Sequence, residues 1–177
     1  MTHRDTLREL AYDTHGVVTL SDAIHAGVPA VEVRKLASRG ALERRGKGVY
    51  RMTEAPHTPL DEFAEAVAIV GQGAVLADES VLAALDLGQV NLRRIKVATD
   101  KRVRHAVPAT VEVVHRHVDD RQRDSIDGIP SMTLPAALLA ARATVLPERL
   151  VDAVRKATAR ELISHREAEQ LLEVLTK

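Results

Sequence analysis

The spacing of apolar positions changes several times along the chain, and each change predicts an element. Leu7, Leu10 and Ala11 recur at helical spacing, which predicts a first helix that Gly16 can close in a left-handed cap. Residues 19–25 predict a short second helix broken at Ala26-Gly27, and residues 29–39 predict a third that stops at Gly40. From Leu42 to Arg51 the pattern turns to alternation around Gly46-Lys47-Gly48, which reads as strand, glycine turn, strand. Pro56 and Pro59 then end regular structure. They set an expected boundary between a domain over residues 1–53 and a second over residues 60–177.

Beyond the prolines, Leu60, Phe63, Val67 and Val70 share one face of a predicted helix over residues 60–70, and a second helix is predicted over 78–85. Residues 95–99 and 109–115 alternate as strands, with a polar, basic turn at 100–104 between them. Asp127-Gly128-Ile129-Pro130 marks a turn or a short edge strand. Three C-terminal helices follow over 134–143, 147–157 and 164–175. Pro147 opens the second, and Ser164 with Glu167 forms a capping box for the third. The expected fold class is α+β: an N-terminal winged helix-turn-helix, then a mixed α+β domain with a short antiparallel sheet and C-terminal helices.

The helix-turn-helix expectation rests on residue types. Two helices that cross closely need a small residue inside the first, and Ala23 supplies it. Four residues on, the turn favours a positive φ, which Gly27 tolerates. Val28, Val33 and Leu36 then have the spacing to seat the second helix, and a β-hairpin directly after such a helix is a wing.

Composition narrows the function. Among 177 residues, aromatic content is 2% with no Trp, which argues against readers that stack bases on aromatic platforms. The absence of Cys removes disulfides, zinc knuckles and thiol chemistry. No apolar run reaches the roughly 18 residues of a membrane span, and the polar start is unlike a signal peptide, so a cytoplasmic location is expected. Net charge is zero, yet it is unevenly spread. Residues 27–52 carry Arg34, Lys35, Arg39, Arg44, Arg45, Lys47 and Arg51 against Glu32 and Glu43, net +5, whereas residues 53–90 hold seven acids and no Lys or Arg. Phosphate responds to the field within about 8–10 Å, not to the total charge.

Candidate DNA contacts follow from position. Ala30, Val31, Arg34, Lys35 and Ser38 include the exposed face of the recognition helix, with Arg34 placed to read guanine. Lys35, Arg39, Arg44, Arg45 and Lys47 suit phosphate. Tyr50 and Val49 are expected to pack the wing onto the core. The other chemistry-bearing groups are weaker. His115 and His117, with Asp119 and Asp120, resemble a metal cluster but read as a solvated strand end. The basic residues from Arg93 to Arg104 could extend a DNA footprint or receive an acidic partner. Gly71-Gln72-Gly73 is too short to cradle phosphate, Ser80 lacks a nucleophile elbow, and the adjacent pairs Asp61-Glu62 and Asp78-Glu79 diverge on a helix. No catalytic residue, metal or cofactor is expected. A winged module that binds a partner protein is the competing reading, and a small hydrolase using His115 and His117 a distant third.

Gly16-Val17-Val18-Thr19, the Ala23, Gly27 and Val28 turn, Leu36-Ala37-Ser38-Arg39-Gly40 and the run from Leu42 through Gly48-Val49-Tyr50-Arg51 together resemble the AbiEi-type antitoxins of type IV toxin–antitoxin systems. Ala77-Asp78-Glu79-Ser80 and Asp127-Gly128-Ile129-Pro130 extend the resemblance more loosely. The resemblance implies a transcriptional autorepressor that binds operator repeats in double-stranded DNA upstream of its own operon. It also implies an antitoxin that counteracts a nucleotidyltransferase-like toxin encoded beside it, with or without direct contact. A monomer in solution that pairs on DNA is the expected state.

Overall fold

A computed structural model describes all residues from Met1 to Lys177. The chain forms two compact units, one of Met1–Gln72 with Val103–Pro108, the other of Gly73–Arg102 with Ala109–Lys177.

The first unit starts with α1 (His3–Asp13), whose N-terminus is closed by a capping box. The Thr2 hydroxyl accepts from the Asp5 amide at 3.2 Å, and the Thr2 amide donates to the Asp5 carboxylate at 2.9 Å. The reciprocal bonds satisfy two donors that the first helical turn leaves orphaned. β1 (Val17–Thr19) follows, and Thr19 caps α2 (Leu20–His25). After the turn, α3 (Ala30–Ser38) begins at Pro29, where the missing amide donor costs nothing. β2 (Leu42–Gly46) and β3 (Val49–Met52) form the hairpin. β3 is central, with antiparallel partners on both sides in the order β1-β3-β2.

Strand alternation divides this sheet between two cores. Val18, Leu42, Tyr50 and Met52 join Leu7, Ala11, Ala23, Val28 and Val33 on one face. Val17 and Val49 point the other way and meet Ile69 of α4 (Asp61–Val70). Each fully buried large aliphatic side chain contributes on the order of 1.5–3 kcal/mol. The expected boundary between residues 53 and 60 therefore does not end the compact unit. Only one wing face could be buried by α1–α3, so α4 is recruited to cover the other.

Two glycines show why their positions are particular. Gly27 sits at φ +84 in the helix-turn-helix turn with open space where a Cβ would go. Gly16 has a similar φ of +81, but its Cβ would lie 2.7 Å from Arg51 Nη1. Gly27→Ala is expected to cost about 1–2 kcal/mol, the backbone penalty alone. Gly16→Ala should cost roughly 1–2 kcal/mol more because Arg51 must also move. Denaturant titration of the two variants checks the order; equal losses would show that the Arg51 approach is slack.

The second unit is built on a five-stranded sheet of order β6-β5-β4-β8-β7. Its strands are β4 (Val75–Leu76), β5 (Ile95–Thr99), β6 (Val111–His115), β7 (Arg123–Ile126) and β8 (Ile129–Met132). The overall class is α+β as expected, but this sheet is mixed rather than antiparallel. β5 and β6 run parallel, as do β4 and β8, whereas β4/β5 and β7/β8 are antiparallel. Alternation marks a strand without revealing its direction. Asp127 and Gly128, with φ +47 and +83, make the tight turn between β7 and β8. α5 (Glu79–Ala84), α6 (Leu134–Ala140), α7 (Pro147–Ala159) and α8 (His165–Leu175) complete the unit. The Ser164–Glu167 capping box forms on α8.

The Ala77-Asp78-Glu79-Ser80 motif is a fastening. Asp78 is buried at φ +54 and binds both Arg116 terminal nitrogens, at 2.7 and 3.1 Å. The Ser80 hydroxyl accepts from the Lys96 amide at 2.8 Å, and Glu79 pairs with the Lys96 ammonium at 2.8 Å. These bonds hold α5 against β5 and the end of β6. No helix of the chain is long and apolar enough to cross a membrane.

Candidate nucleic-acid interface

The basic residues singled out on α3 and the hairpin separate into two groups. Lys35 pairs with Glu32 at 2.8 Å, and that hydrogen bond holds the Glu32 carboxyl below its ordinary range. Arg45 is drawn to Glu65 of α4 at 3.0 Å and to Glu43 at 3.1 Å. A bulge between Arg44 and Gly46 accompanies this displacement. Arg51, counted in the same basic run, is only 4% exposed and is neutralised by Asp61 at 3.0 Å.

Arg34, Arg39, Arg44 and Lys47 remain. All four are exposed and none forms an ion pair. The Arg44 Nε donates to its own turn, at 3.3 Å from the Gly46 carbonyl. Gly48 fixes the wing tip by accepting from the Leu20 amide at 2.7 Å. Between α3 and the wing lies an open groove of about 760 Å³, lined by Leu20, Arg34, Arg44, Lys47, Tyr50 and His105. Tyr50 and Val49 are buried, in keeping with their expected packing role. At the start of α3, Ala30 is half-buried and Val31 is 53% exposed. The Ser38 hydroxyl donates to the Lys35 carbonyl at 2.8 Å.

Sequence reasoning missed three participants: Glu65, which occupies Arg45; His105, which enters the groove; and β1, which makes the hairpin three-stranded. Glu65 and His105 are brought in from distant parts of the chain, and β1 is too short for a period to register.

In the second unit, His117 Nδ1 lies 3.0 Å from Asp100 and its Nε2 lies 3.3 Å from Asp119. The Asp100 hydrogen bond raises the His117 pKa above the ordinary histidine value. Arg116, between the two histidines, is committed to Asp78. No three of the chain's His, Asp and Glu groups converge as metal ligands would.

Three helices, a three-stranded antiparallel sheet and a cationic hairpin after the third helix define the first unit as a winged helix-turn-helix. Residues 5–53 match the AbiEi_4 family model, described as a transcriptional regulator and AbiEi antitoxin. The match runs from α1 to the end of the wing and covers less than a third of the chain. A crystal structure of the RV2827C protein from Mycobacterium tuberculosis is similar at 21% identity and a TM-score of 0.46, covering 94% of this chain and 69% of that one. No curated protein matches the chain.

Proposed function

We propose that the chain is a DNA-binding autorepressor that also acts as an antitoxin against a nucleotidyltransferase-like toxin of the same operon. The observation that carries the DNA reading is the set of exposed, unpaired cations Arg34, Arg39, Arg44 and Lys47 on α3 and the wing. α3 would enter the major groove from its N-terminal end, with Val31 against a thymine methyl and Arg34 on a guanine edge. Arg39, Arg44 and Lys47 would hold backbone phosphates, with Lys35, Ser38 and Arg45 in lesser roles and Ala30 allowing close approach. Operator repeats would be met by two copies that pair on DNA. The family description of residues 5–53 supports the regulatory and antitoxin roles, and the antitoxin function is assigned to the second unit, Gly73–Arg102 with Ala109–Lys177.

Gel-shift titration of the full chain against its own promoter tests the first role. The three phosphate-holding cations Arg39, Arg44 and Lys47 imply that log K falls with log salt at a slope of about −2.7, from 0.9 per contact. A complex indifferent to salt would favour a protein-binding winged module instead. For the second role, co-expression with the neighbouring toxin gene should restore growth; continued arrest by full-length protein would remove the antitoxin assignment.

A further inference from the structure

β5 and β6 are neighbours in parallel register, from Ile95↔Val111 to Thr99↔His115, so the chain between them must return along the sheet. Such a crossover is usually helical, but no helix lies between these strands. Its middle, Val103–Pro108, is built into the winged unit instead.

The attachment of this strap is specific. The Ile69 carbonyl belongs to the last turn of α4, where backbone acceptors have no intrahelical partner, and His105 Nε2 donates to it at 2.6 Å. Val107 packs on the cluster of Val17, Val49 and Ile69 behind the wing. These two contacts account for holding the strap. They leave two features unexplained: His105 also lines the groove with Arg34, Arg44 and Lys47, and the adjacent Arg104 is exposed without an ion pair. No acid lies within residues 103–108, so nothing there offsets the added cation. Arg104 directly precedes the groove-lining His105 in the strap, and a plain tether has no need of that exposed cation.

We infer that the strap Val103–Pro108 is a third DNA-contacting element beside α3 and the wing, with Arg104 neutralising a backbone phosphate and His105 as the positioning residue that holds it there. The inference rests on the DNA-binding reading of the first unit. It assigns a role in that surface to residues far from the helix-turn-helix in sequence.

The test uses the full chain and a duplex of its own promoter over a salt series. Arg104→Gln should lower the slope of log K against log salt by about 0.9 and weaken binding about eightfold at 0.1 M salt, with the thermal midpoint unchanged. Arg142→Gln removes an exposed cation from the other unit and should leave both readings as in the wild type. His105→Ala should reproduce the Arg104 loss, and His105→Gln, which keeps an N–H donor, should restore binding. Because the chain has no Cys, Arg104→Cys carrying a photoactivated cross-linker should couple to the duplex, and Arg142→Cys should not. An unchanged slope in Arg104→Gln, or an equal loss in Arg142→Gln, overturns the strap assignment while leaving the DNA reading intact. Failure of the wild-type chain to bind the duplex overturns both.

Discussion

Replacing Arg44 and Lys47 together by Ala is expected to weaken promoter binding about 60-fold at 0.1 M salt and to reduce the salt slope by about 1.8, from 0.9 per phosphate contact. Both side chains are exposed on the wing, and neither has an acidic partner to compensate. Adding Arg34→Ala removes a further ~1–3 kcal/mol if that guanidinium reads a guanine, taking the loss to about 10³-fold. The third substitution should also relax sequence preference, whereas the first two weaken all duplexes alike. Arg45→Ala provides the internal contrast. Its charge is already met by Glu65 and Glu43, so its loss should change the slope by much less than 0.9. A gel shift in which Arg45→Ala and Lys47→Ala are equally harmful would show that the Glu65 pair opens on DNA.

That contrast marks where sequence reasoning stopped. The three helices of the first unit were legible because their signals are local. Leu7, Leu10 and Ala11 share one helical face, Gly27 takes the positive φ of the turn, and Gly40 ends α3. The hairpin was legible from its glycines, and the turn into β8 from Asp127-Gly128. The candidate cations were legible only as a list. Which of them stay available depends on Glu65, twenty residues from Arg45, and on Asp61 beside Arg51, and no local pattern encodes such pairs. The parallel pairing of β5 and β6 was hidden for a related reason. The eleven residues between those strands look like a basic turn, because nothing local shows that their middle is anchored on α4. An acid-only stretch follows the wing. In part it serves the basic run before it, Asp61 and Glu65 neutralising Arg51 and Arg45, which leaves the field of the unit concentrated on fewer side chains than the net charge suggests.

Arg51→Ala is expected to destabilise the first unit by about 3–5 kcal/mol, the cost of leaving a buried ion pair half made. The guanidinium donates to the carbonyls of His15 at 2.9 Å and of Ala55 and Pro56 at 3.3 Å, and it faces Asp61 at 3.0 Å. One side chain thereby ties the end of α1, the wing strand β3, the proline segment and the start of α4. Arg51→Lys keeps the charge but not the planar fork, so it should recover only part of the loss in denaturant titrations. Burial works to raise the Asp61 pKa, but hydrogen bonds from the Thr58 hydroxyl and amide and the Arg51 charge outweigh it, and the net shift is downward. A carboxyl with a depressed folded-state pKa contributes stability that is present above its unfolded value, about 3.9. That contribution is lost as pH falls through the folded value. Removing Arg51 takes away part of the depression, so the acid-unfolding midpoint of Arg51→Ala should move to higher pH. A variant that loses stability with no change in its acid profile would separate Arg51's role as a carbonyl clamp from its role as Asp61's counter-ion. In either case the loosened element is α4, which carries Glu65 and the Ile69 carbonyl. Partial unfolding there should therefore reach the groove as altered DNA affinity even though Arg51 itself touches no ligand.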